Sequence, residues 1–420
     1  MTILAAVERE AYGARAAVPL LTDEGVASAL ELAAERLALR HESILAANAA
    51  DLDAAAGELD EGALDRLRLD EGRLAAIEEQ LGELAALQPL EREIASWTLP
   101  NGLQVWELRI PIGVVGANFE ARPNVAVDVA GQLLKSLNGG VLRTGGAALR
   151  TVTALVDDVL RPALSDAGVP PEVIGLVRSP DREGARALLS LPGVLPLVIL
   201  RGSGETTAAL ARHAAEHGVR TLAHAEGGGV LYLSASADPA IAEAMIDASL
   251  DRLGVCNRLN LLLVDRAAAE TLLPPIAAQL GRLGIEARGT ERAREHVALA
   301  PLDVRLGHEW ANDASNVSTI SVDVVDGPDE AARLANEETS ALAAAVVAED
   351  EQVARRFLDR YRGTAAFWQA PTRFTDGFAL TGAPETGINV DWVPGPRGPV
   401  TYRDLWLRQY RVVGDGTQHR

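Results

Sequence analysis

The sequence predicts an α/β protein built on open parallel sheets, and two stretches of the chain lead to this prediction. Between residues 110 and 223, short apolar runs alternate with helical patterns, and a second stretch of the same kind extends from residue 229 to about residue 373. Such alternation is typical of parallel strands connected by helices. A chain of 420 residues can bury a sizeable core and is long enough for two or three domains.

The first 95 residues or so have a helical pattern, because they are rich in Ala, Leu, Glu and Arg and contain no proline between Pro19 and Pro89. Thr22 is suited to begin one of these helices as its N-cap. Asn101-Gly102 separates two apolar runs and predicts a β-hairpin. Residues 110–118 follow as one buried strand between turn-forming residues.

The first alternating stretch continues with predicted strands at 140–143, 173–177, 195–200 and 220–223, and with predicted helices at 125–137, 149–167, 182–189 and 206–217. The second has strands at 230–233, 261–264, 317–325, 342–347 and 364–368, and helices at 241–250, 267–283 and 328–336. Near the C-terminus, residues 405–413 predict a further strand. That strand needs a partner sheet, which another subunit could supply.

Composition excludes several functions. A net charge of −20 and a sequence pI of about 4.8 argue against binding to nucleic acids or anionic membranes. The N-terminus lacks the pattern of a signal peptide, and no apolar run is long enough for a transmembrane helix, so we expect a soluble cytoplasmic protein. One cysteine excludes an internal disulfide and a multi-cysteine metal site, and we predict no metal.

The single cysteine, Cys256, falls in a predicted loop between a helix and a buried strand. A thiol on a loop held by rigid elements is well placed for nucleophilic catalysis. A lone cysteine is also one of the most often buried residue types, and its reactivity depends on a pKa that the sequence does not show. Both interpretations stay open on this pattern alone.

Two further stretches follow predicted strands, where open parallel sheets bind their ligands. The turn at residues 201–207 (Arg-Gly-Ser-Gly-Glu-Thr-Thr) could hold a phosphate against the start of a helix, or could be a plain strand-to-helix turn. Residues 119–125 (Phe-Glu-Ala-Arg-Pro-Asn-Val) place Glu120 and Arg122 just past a strand. They could contact a ligand, or Pro123 and Asn124 could simply begin the next helix.

Several short strings of residues stand in the same order along the chain as in one protein family: residues 111–116, 119–125, 134–136, 181–182, 255–257, 372–377 and 397–399. With them, a region from about residue 5 to residue 418 resembles the γ-glutamyl phosphate reductases, or glutamate-5-semialdehyde dehydrogenases, of the aldehyde dehydrogenase superfamily. The resemblance implies an aldehyde-dehydrogenase-like α/β fold. Its cofactor-binding domain of Rossmann type would comprise 1–102 and 115–225 with part of 380–392, its catalytic domain 226–379, and its small β oligomerisation element 103–114 and 393–420.

The resemblance also implies an activity: NADPH-dependent reduction of an acyl phosphate, L-glutamyl 5-phosphate, to glutamate 5-semialdehyde through a thioester on Cys256, as in proline biosynthesis. Asn124 would assist catalysis, and the substrate would contact Glu120, Arg122, Asn257 and Arg373. The cofactor would be bound by Arg143, Gly145, Gly202, Ser203, Gly204 and Asp313. A homo-oligomer is implied, and a glutamate-kinase-like enzyme is a conceivable partner.

One position bears on whether water or phosphate takes the acyl group. Hydrolytic aldehyde dehydrogenases activate water with a Glu in a Glu-x-Gly-Gly pattern, and we align His224 with that Glu. This favours exchange with phosphate over hydrolysis, although Glu226 stands two residues further on.

The sequence departs from the family pattern near the expected substrate site. Leu253-Gly254 stand near the position where the family usually has an Arg-Pro pair. Residues 257–261 (Asn-Arg-Leu-Asn-Leu) replace Asn-Ala-x-Glu-Thr, and 338–343 and 380–387 also differ. Asp313 takes the place of a Glu that binds the nicotinamide ribose in the superfamily. Two alternatives therefore remain: a paralogous aldehyde dehydrogenase or carboxylic acid reductase with another acyl substrate in secondary metabolism, and a non-catalytic partner of the acyl-phosphate-forming kinase.

Overall fold

The computed structural model describes residues 2–59, 61–202, 204–224, 227–313, 315–392 and 395–418. The chain begins with five helices, which the helical pattern predicted: α1 Ile3–Ala17, α2 Asp23–Ala38, α3 His41–Ala55, α4 Glu61–Leu67 and α5 Glu71–Ala86. The Thr22 hydroxyl accepts a hydrogen bond from the Gly25 amide at 3.1 Å, so the predicted N-cap of α2 is confirmed. Among the helices of the described residues, none combines the length and apolar character that a membrane crossing requires.

A five-stranded parallel sheet follows, with strand order β5-β4-β3-β6-β7. Its strands are β3 Val114–Phe119, β4 Gly139–Thr144, β5 Ile174–Leu176, β6 Leu197–Arg201 and β7 Arg220–His224. Its helices are α6 Asn124–Lys135, α7 Leu149–Ala154, α8 Arg161–Asp166, α9 Arg182–Leu188 and α10 Gly204–Glu216, with a π-helical segment Leu155–Leu160 between α7 and α8. The strand order reverses at β3, so the crevice beyond the ends of β3 and β6 is where such a sheet binds ligands.

A second parallel sheet has seven strands in the order β11-β10-β12-β9-β8-β13-β14. These strands are β8 Gly229–Leu233, β9 Leu259–Asp265, β10 Glu286–Gly289, β11 Ala300–Pro301, β12 Thr319–Val325, β13 Ala343–Val347 and β14 Ala365–Trp368. The helices are α11 Pro239–Ser249, α12 Ala269–Arg282, α13 Glu291–Arg294, α14 Pro328–Glu337, α15 Glu351–Arg360 and α16 Gly377–Thr381. The prediction missed the strands β10 and β11 and the helices α13, α15 and α16.

A small antiparallel sheet contains the predicted hairpin, β1 Glu93–Thr98 and β2 Gln104–Pro111, together with the tail strand β17 Trp406–Val413. The tail strand pairs with β2 of its own chain, so its immediate partner is not another subunit. The predicted strand at 110–118 is two strands, because the backbone turns at Gly113 with a φ of +116°. A two-stranded sheet, β15 Gly387–Asn389 and β16 Gly398–Val400, completes the structure.

Strand pairing and core packing cross the predicted domain boundaries at two places. Residues 93–98, which we assigned to the cofactor-binding domain, pair with the predicted oligomerisation element. Val400, Tyr402 and Leu405, which we assigned to that element, pack in the core beneath the five-stranded sheet. The functional roles of the three units stay predictions.

Candidate active site

A cavity of about 520 Å³ lies where several chain segments meet. Residues of α4 and α5, the segment after β3 and the turn after β6 line it on one side. The loop before β9, residues 309–312 and residues 373–388 contribute the rest of its wall. The wall therefore contains residues of the stretches 119–125, 201–207, 255–257 and 372–377, which the sequence analysis singled out.

Cys256 lines this cavity on the loop between α11 and β9, as predicted. Asp238 caps α11 through hydrogen bonds from the amides of Ala240 and Ile241, at 2.8 and 2.9 Å, and β9 is buried along its whole length. The Cys256 carbonyl accepts a 2.6 Å hydrogen bond from the Gly228 amide. The partly buried thiol is therefore held between two fixed elements.

The cavity keeps this thiol protonated at neutral pH. Burial raises the pKa of Cys256 to about 11, with further contributions from the carboxylates of Glu309 and Glu385, while Arg122 and Arg201 act in the opposite direction. A nucleophilic thiol needs to become a thiolate. The site must therefore remove the proton when the substrate is bound.

Seven arginines and five acidic residues line the cavity: Arg66, Arg68, Arg73, Arg122, Arg201, Arg252 and Arg373, with Asp65, Asp128, Glu309, Asp376 and Glu385. This local excess of positive charge stands in a chain whose net charge is −20. Burial, Arg201 and Arg66 lower the pKa of Arg122 to about 10. Within the described part of the chain, the guanidinium groups of Arg66, Arg122, Arg201 and Arg252 have no ion pair. Arginines that outnumber the carboxylates of the same wall are suited to bind a multivalent anion.

Asn124 and Asp128 lie on the first turns of α6 and also face the cavity. The Asn124 side-chain amide donates a 3.0 Å hydrogen bond to Asp128. Burial raises the pKa of Asp128 to about 7, and Glu385 adds to this, whereas Arg201 and the Asn124 hydrogen bond oppose it. Asn124 thus lines the same cavity as Cys256, which is compatible with the predicted catalytic role. That role stays a prediction.

The predicted substrate residues separate into two groups. Arg122 lines the cavity without an ion pair among the described residues, as a substrate contact requires. Asn257 and Arg373 also line it, but they bind each other: the Asn257 amide donates to the carbonyls of Arg373 and Thr375, both at 3.0 Å, and its oxygen accepts from Arg373. The geometry therefore favours a structural role for Asn257 over the predicted substrate contact. Glu120 is not part of the cavity wall, and its carboxylate lies against Gly202.

The predicted cofactor residues are likewise divided. Gly202 lines the cavity and Gly204 begins α10, whereas Ser203 lies outside the described residues. A Cβ atom on Gly202 would lie 3.1 Å from the Glu120 carboxylate, and the space beside Gly145 is open. The open space beside Gly145, at the end of β4, fits a dinucleotide that approaches the backbone there, whereas the Glu120 carboxylate occupies the corresponding space at Gly202.

Arg143 does not fit the predicted contact with the cofactor. The residue is 5% exposed, and its guanidinium donates to Asn118 at 3.1 Å and to the carbonyls of Pro180 and Asp181 at 3.1 and 2.9 Å. Asp313 is also absent from the cavity wall, and it accepts from Asn316 at 3.1 Å and contacts His308 at 3.2 Å. Both residues therefore have structural partners where we predicted cofactor contacts.

Sequence reasoning missed several residues of the cavity. Glu309 lies in the wall, four residues before Asp313, and is the carboxylate with the strongest effect on Cys256. Arg252 also lies in the wall, four residues before the cysteine, so the segment near the expected Arg-Pro pair does supply an arginine. Arg201 directly precedes the glycine turn and could have been recognised from that position. The contribution of α4 and α5 had no signal in the sequence.

Comparison with known proteins agrees with this geometry. Residues 149–301 match the aldehyde dehydrogenase family, so the fold and the cysteine site define an oxidoreductase of that class. The gamma-glutamyl phosphate reductase of Moorella thermoacetica is 36% identical over 423 residues, which cover 99% of each chain. The crystal structure of gamma-glutamyl phosphate reductase from Thermotoga maritima superimposes with a TM-score of 0.92 at 29% identity and covers 99% of this chain and 100% of that one. This chain belongs to the gamma-glutamyl phosphate reductase family.

The predicted family, fold class and class of enzyme are confirmed by these similarities. An engineered glycolyl-CoA reductase whose structure contains bound NADP+ has the same fold, with a TM-score of 0.68 at 16% identity, covering 98% of this chain and 96% of that one. A nicotinamide cofactor is thus compatible with the fold.

Proposed function

We propose that this chain reduces L-glutamyl 5-phosphate to glutamate 5-semialdehyde with NADPH, as a step of proline biosynthesis. The observation that carries this proposal is the position of Cys256 in a cavity with an excess of arginine side chains. An acyl phosphate brings both an electrophilic carbon for the thiol and a phosphate for the cations. The similarity to gamma-glutamyl phosphate reductases supports the glutamyl group.

The first chemical step is transfer of the acyl group to the cysteine. The sulfur of Cys256 attacks the acyl carbon, the bond from that carbon to the phosphate oxygen breaks, and phosphate leaves with the electron pair. Arg122 and Arg201 stabilise the charge on the leaving phosphate, because both lie in the cavity wall and both act on the Cys256 charge. Glu309 accepts the thiol proton, since it is the carboxylate that most strongly affects the thiol.

Asn124 is placed to stabilise the oxygen of the acyl group. One N–H of its amide is used by Asp128, and the other remains to donate to the negative oxygen that forms when sulfur attacks. The rigid start of α6 fixes this amide. Asn124 therefore acts on the transition state rather than on the substrate's charged ends.

The nicotinamide, when bound, supplies the hydride that reduces the acyl carbon of the thioester. Gly145, Gly202 and Gly204 would hold the cofactor through their backbone at the ends of β4 and β6 and at the start of α10. Cys256 then leaves as a thiolate and recovers a proton, and the aldehyde is released. Over the whole reaction, one acyl phosphate, one NADPH and one proton give one aldehyde, one NADP+ and one phosphate.

The direct test follows the absorbance of NADPH in the presence of enzymatically generated γ-glutamyl phosphate. The wild-type protein is expected to oxidise NADPH, and Cys256→Ser is expected to be inactive while still binding the cofactor. If both proteins bind NADPH and neither turns over, the acyl group is a different one. If neither binds NADPH, the protein is not a reductase.

We also propose that the protein forms a homo-oligomer through the small antiparallel sheet. Leu407, Tyr410 and Val412 of β17 are each about half exposed, and Trp97 of β1 is 41% exposed. Light scattering on the wild type and on Leu407→Asp would test this. The glutamate-kinase-like partner and the cytoplasmic location stay predictions.

A further inference from the structure

The loop that carries Glu309 is held from both sides by one side chain. The Asn260 amide nitrogen donates to the carbonyl of His308 at 2.7 Å, and the Asn260 oxygen accepts from the amide of Trp310 at 2.9 Å. These two residues flank Glu309 in the sequence. Asn260 is 99% buried at the start of β9, so water does not compete for these bonds.

A second buried side chain adds charge next to the same loop. Arg258 is completely buried and donates to the carbonyls of Val317 and Thr319, which fixes it against the start of β12. Burial lowers the pKa of its guanidinium to about 10, and the opposite charge of Glu309 counteracts this. The two charges therefore attract each other across the loop.

We propose that Asn260 and Arg258 together fix Glu309 beside Cys256, and that Asn260 is a positioning residue for the reaction of the thiol. Both residues belong to the stretch 257–261, where the sequence departs from the family pattern. These two residues therefore act on the loop of Glu309, and Glu309 in turn acts on the thiol of Cys256. This inference rests on the proposed role of Cys256 as the nucleophile.

The ionisation of Cys256 reports the position of Glu309 directly. Four charged groups act on the thiol: Glu309 and Glu385 oppose formation of the thiolate, and Arg122 and Arg201 favour it. If Glu309 is neutralised or moves away, the remaining groups favour the thiolate more. Because Cys256 is the single cysteine of the chain, alkylation by iodoacetamide measures this one group.

The experiment is the pH profile of alkylation for wild type, Glu309→Gln, Asn260→Ala and the double variant, without substrate or cofactor. Glu309→Gln is expected to lower the midpoint by about 0.5 to 1 pH unit, which gives about 3- to 10-fold faster alkylation below the midpoint. Asn260→Ala is expected to lower the midpoint too. The double variant should show the Glu309→Gln midpoint with little further change, because Asn260 acts through Glu309.

A matched control is Asn336→Ala. Asn336 donates to the Arg360 carbonyl at 3.0 Å and accepts from the Arg362 amide at 2.8 Å, so it flanks Tyr361 as Asn260 flanks Glu309, but outside the cavity wall. Its substitution should leave the alkylation midpoint unchanged. If Asn260→Ala does not fold, Asn260→Ser replaces it, since serine is too short to hold both His308 and Trp310 and adds no charge near the thiol.

An unchanged midpoint in a folded Asn260 variant would overturn the proposal, and so would a shift that adds in full to that of Glu309→Gln. A looser loop that only exposes the thiol also lowers the midpoint, because burial is the largest cause of the raised pKa of Cys256. It does so equally when residue 309 is Gln, so the double variant separates the two effects. The measurement does not depend on turnover. Its failure is therefore distinct from failure of the proposed reductase activity.

Discussion

Gly227 lies directly against Cys256: a Cβ atom on residue 227 would lie 2.5 Å from the Cβ of Cys256 and 2.7 Å from its Cα. No side chain fits at such a distance, so the approach of β8 to the cysteine loop requires glycine. The hydrogen bond from Gly228 to the Cys256 carbonyl reinforces this contact. The position of the thiol thus depends on the segment that leads into β8.

Gly227→Ala is therefore expected to displace Cys256 and to reduce turnover at least about tenfold, with a loss of stability of about 1–3 kcal/mol from overpacking. Steady-state kinetics and thermal unfolding measure the two effects. Gly254→Ala is the control, because it lies on the same loop and a Cβ there has open space. Equal behaviour of the two variants would show that the Gly227 contact does not position the thiol.

Substitution of a cavity arginine that has no ion pair among the described residues tests the proposed anion site. Arg201→Gln is expected to raise the KM for the acyl phosphate by about 10- to 100-fold, since a charge-assisted hydrogen bond contributes about 1.5–3 kcal/mol. Arg355→Gln removes an exposed guanidinium that pairs with Glu351, and its KM should match the wild type. A KM that Arg201→Gln leaves unchanged would remove Arg201 from the phosphate site.

Asn257 provides a test between its two roles. If it joins the cysteine loop to the segment of Arg373 and Thr375, Asn257→Ala should lower the melting temperature and kcat together, because three buried or partly buried hydrogen bonds are lost. The predicted substrate contact would instead raise KM and leave stability near the wild-type value. Thermal unfolding and kinetics on the same sample separate the two results.

The partly buried carboxyl of Asp128 predicts a pH-dependent stability. Burial raises its pKa from 3.8 to about 7, so folding favours the protonated form, and the associated stability is lost as the pH rises from about 4 through about 7. Asp128→Asn replaces the protonated carboxyl with a neutral amide. The melting temperature of the variant relative to wild type should therefore rise between pH 5 and pH 8. A difference that does not change with pH would contradict this.

The elements that the sequence predicted well are those whose pattern is local. Both parallel sheets follow from apolar runs that alternate with helices, and the N-cap at Thr22 needs only the residues beside it. The strand at 286–289 was not predicted because it is short and mostly polar. The division of 110–118 depends on the backbone conformation of Gly113, which the apolar pattern does not reveal.

Of the predicted site residues, Cys256, Arg122 and Gly202 line the cavity, and each lies on a short segment next to a strand, which a local pattern can reveal. Glu309 was not predicted, because only the fold of its loop places this carboxylate, and not that of Asp313, in the cavity wall. Arg143 and Asn257 were expected to contact ligands because the family resemblance implies it. Their hydrogen bonds to backbone carbonyls depend on segments far away in the sequence, which a local pattern does not bring together.

The measurement that tests the central claim most directly is the reverse reaction, in which NADP+ is reduced by glutamate 5-semialdehyde at increasing phosphate concentration. If Cys256 transfers its acyl group to phosphate, NADP+ reduction should depend on phosphate and saturate with it, and Cys256→Ser should be inactive. The same rate without phosphate would show that water accepts the acyl group. Full activity of Cys256→Ser would show that the thiol is not the nucleophile.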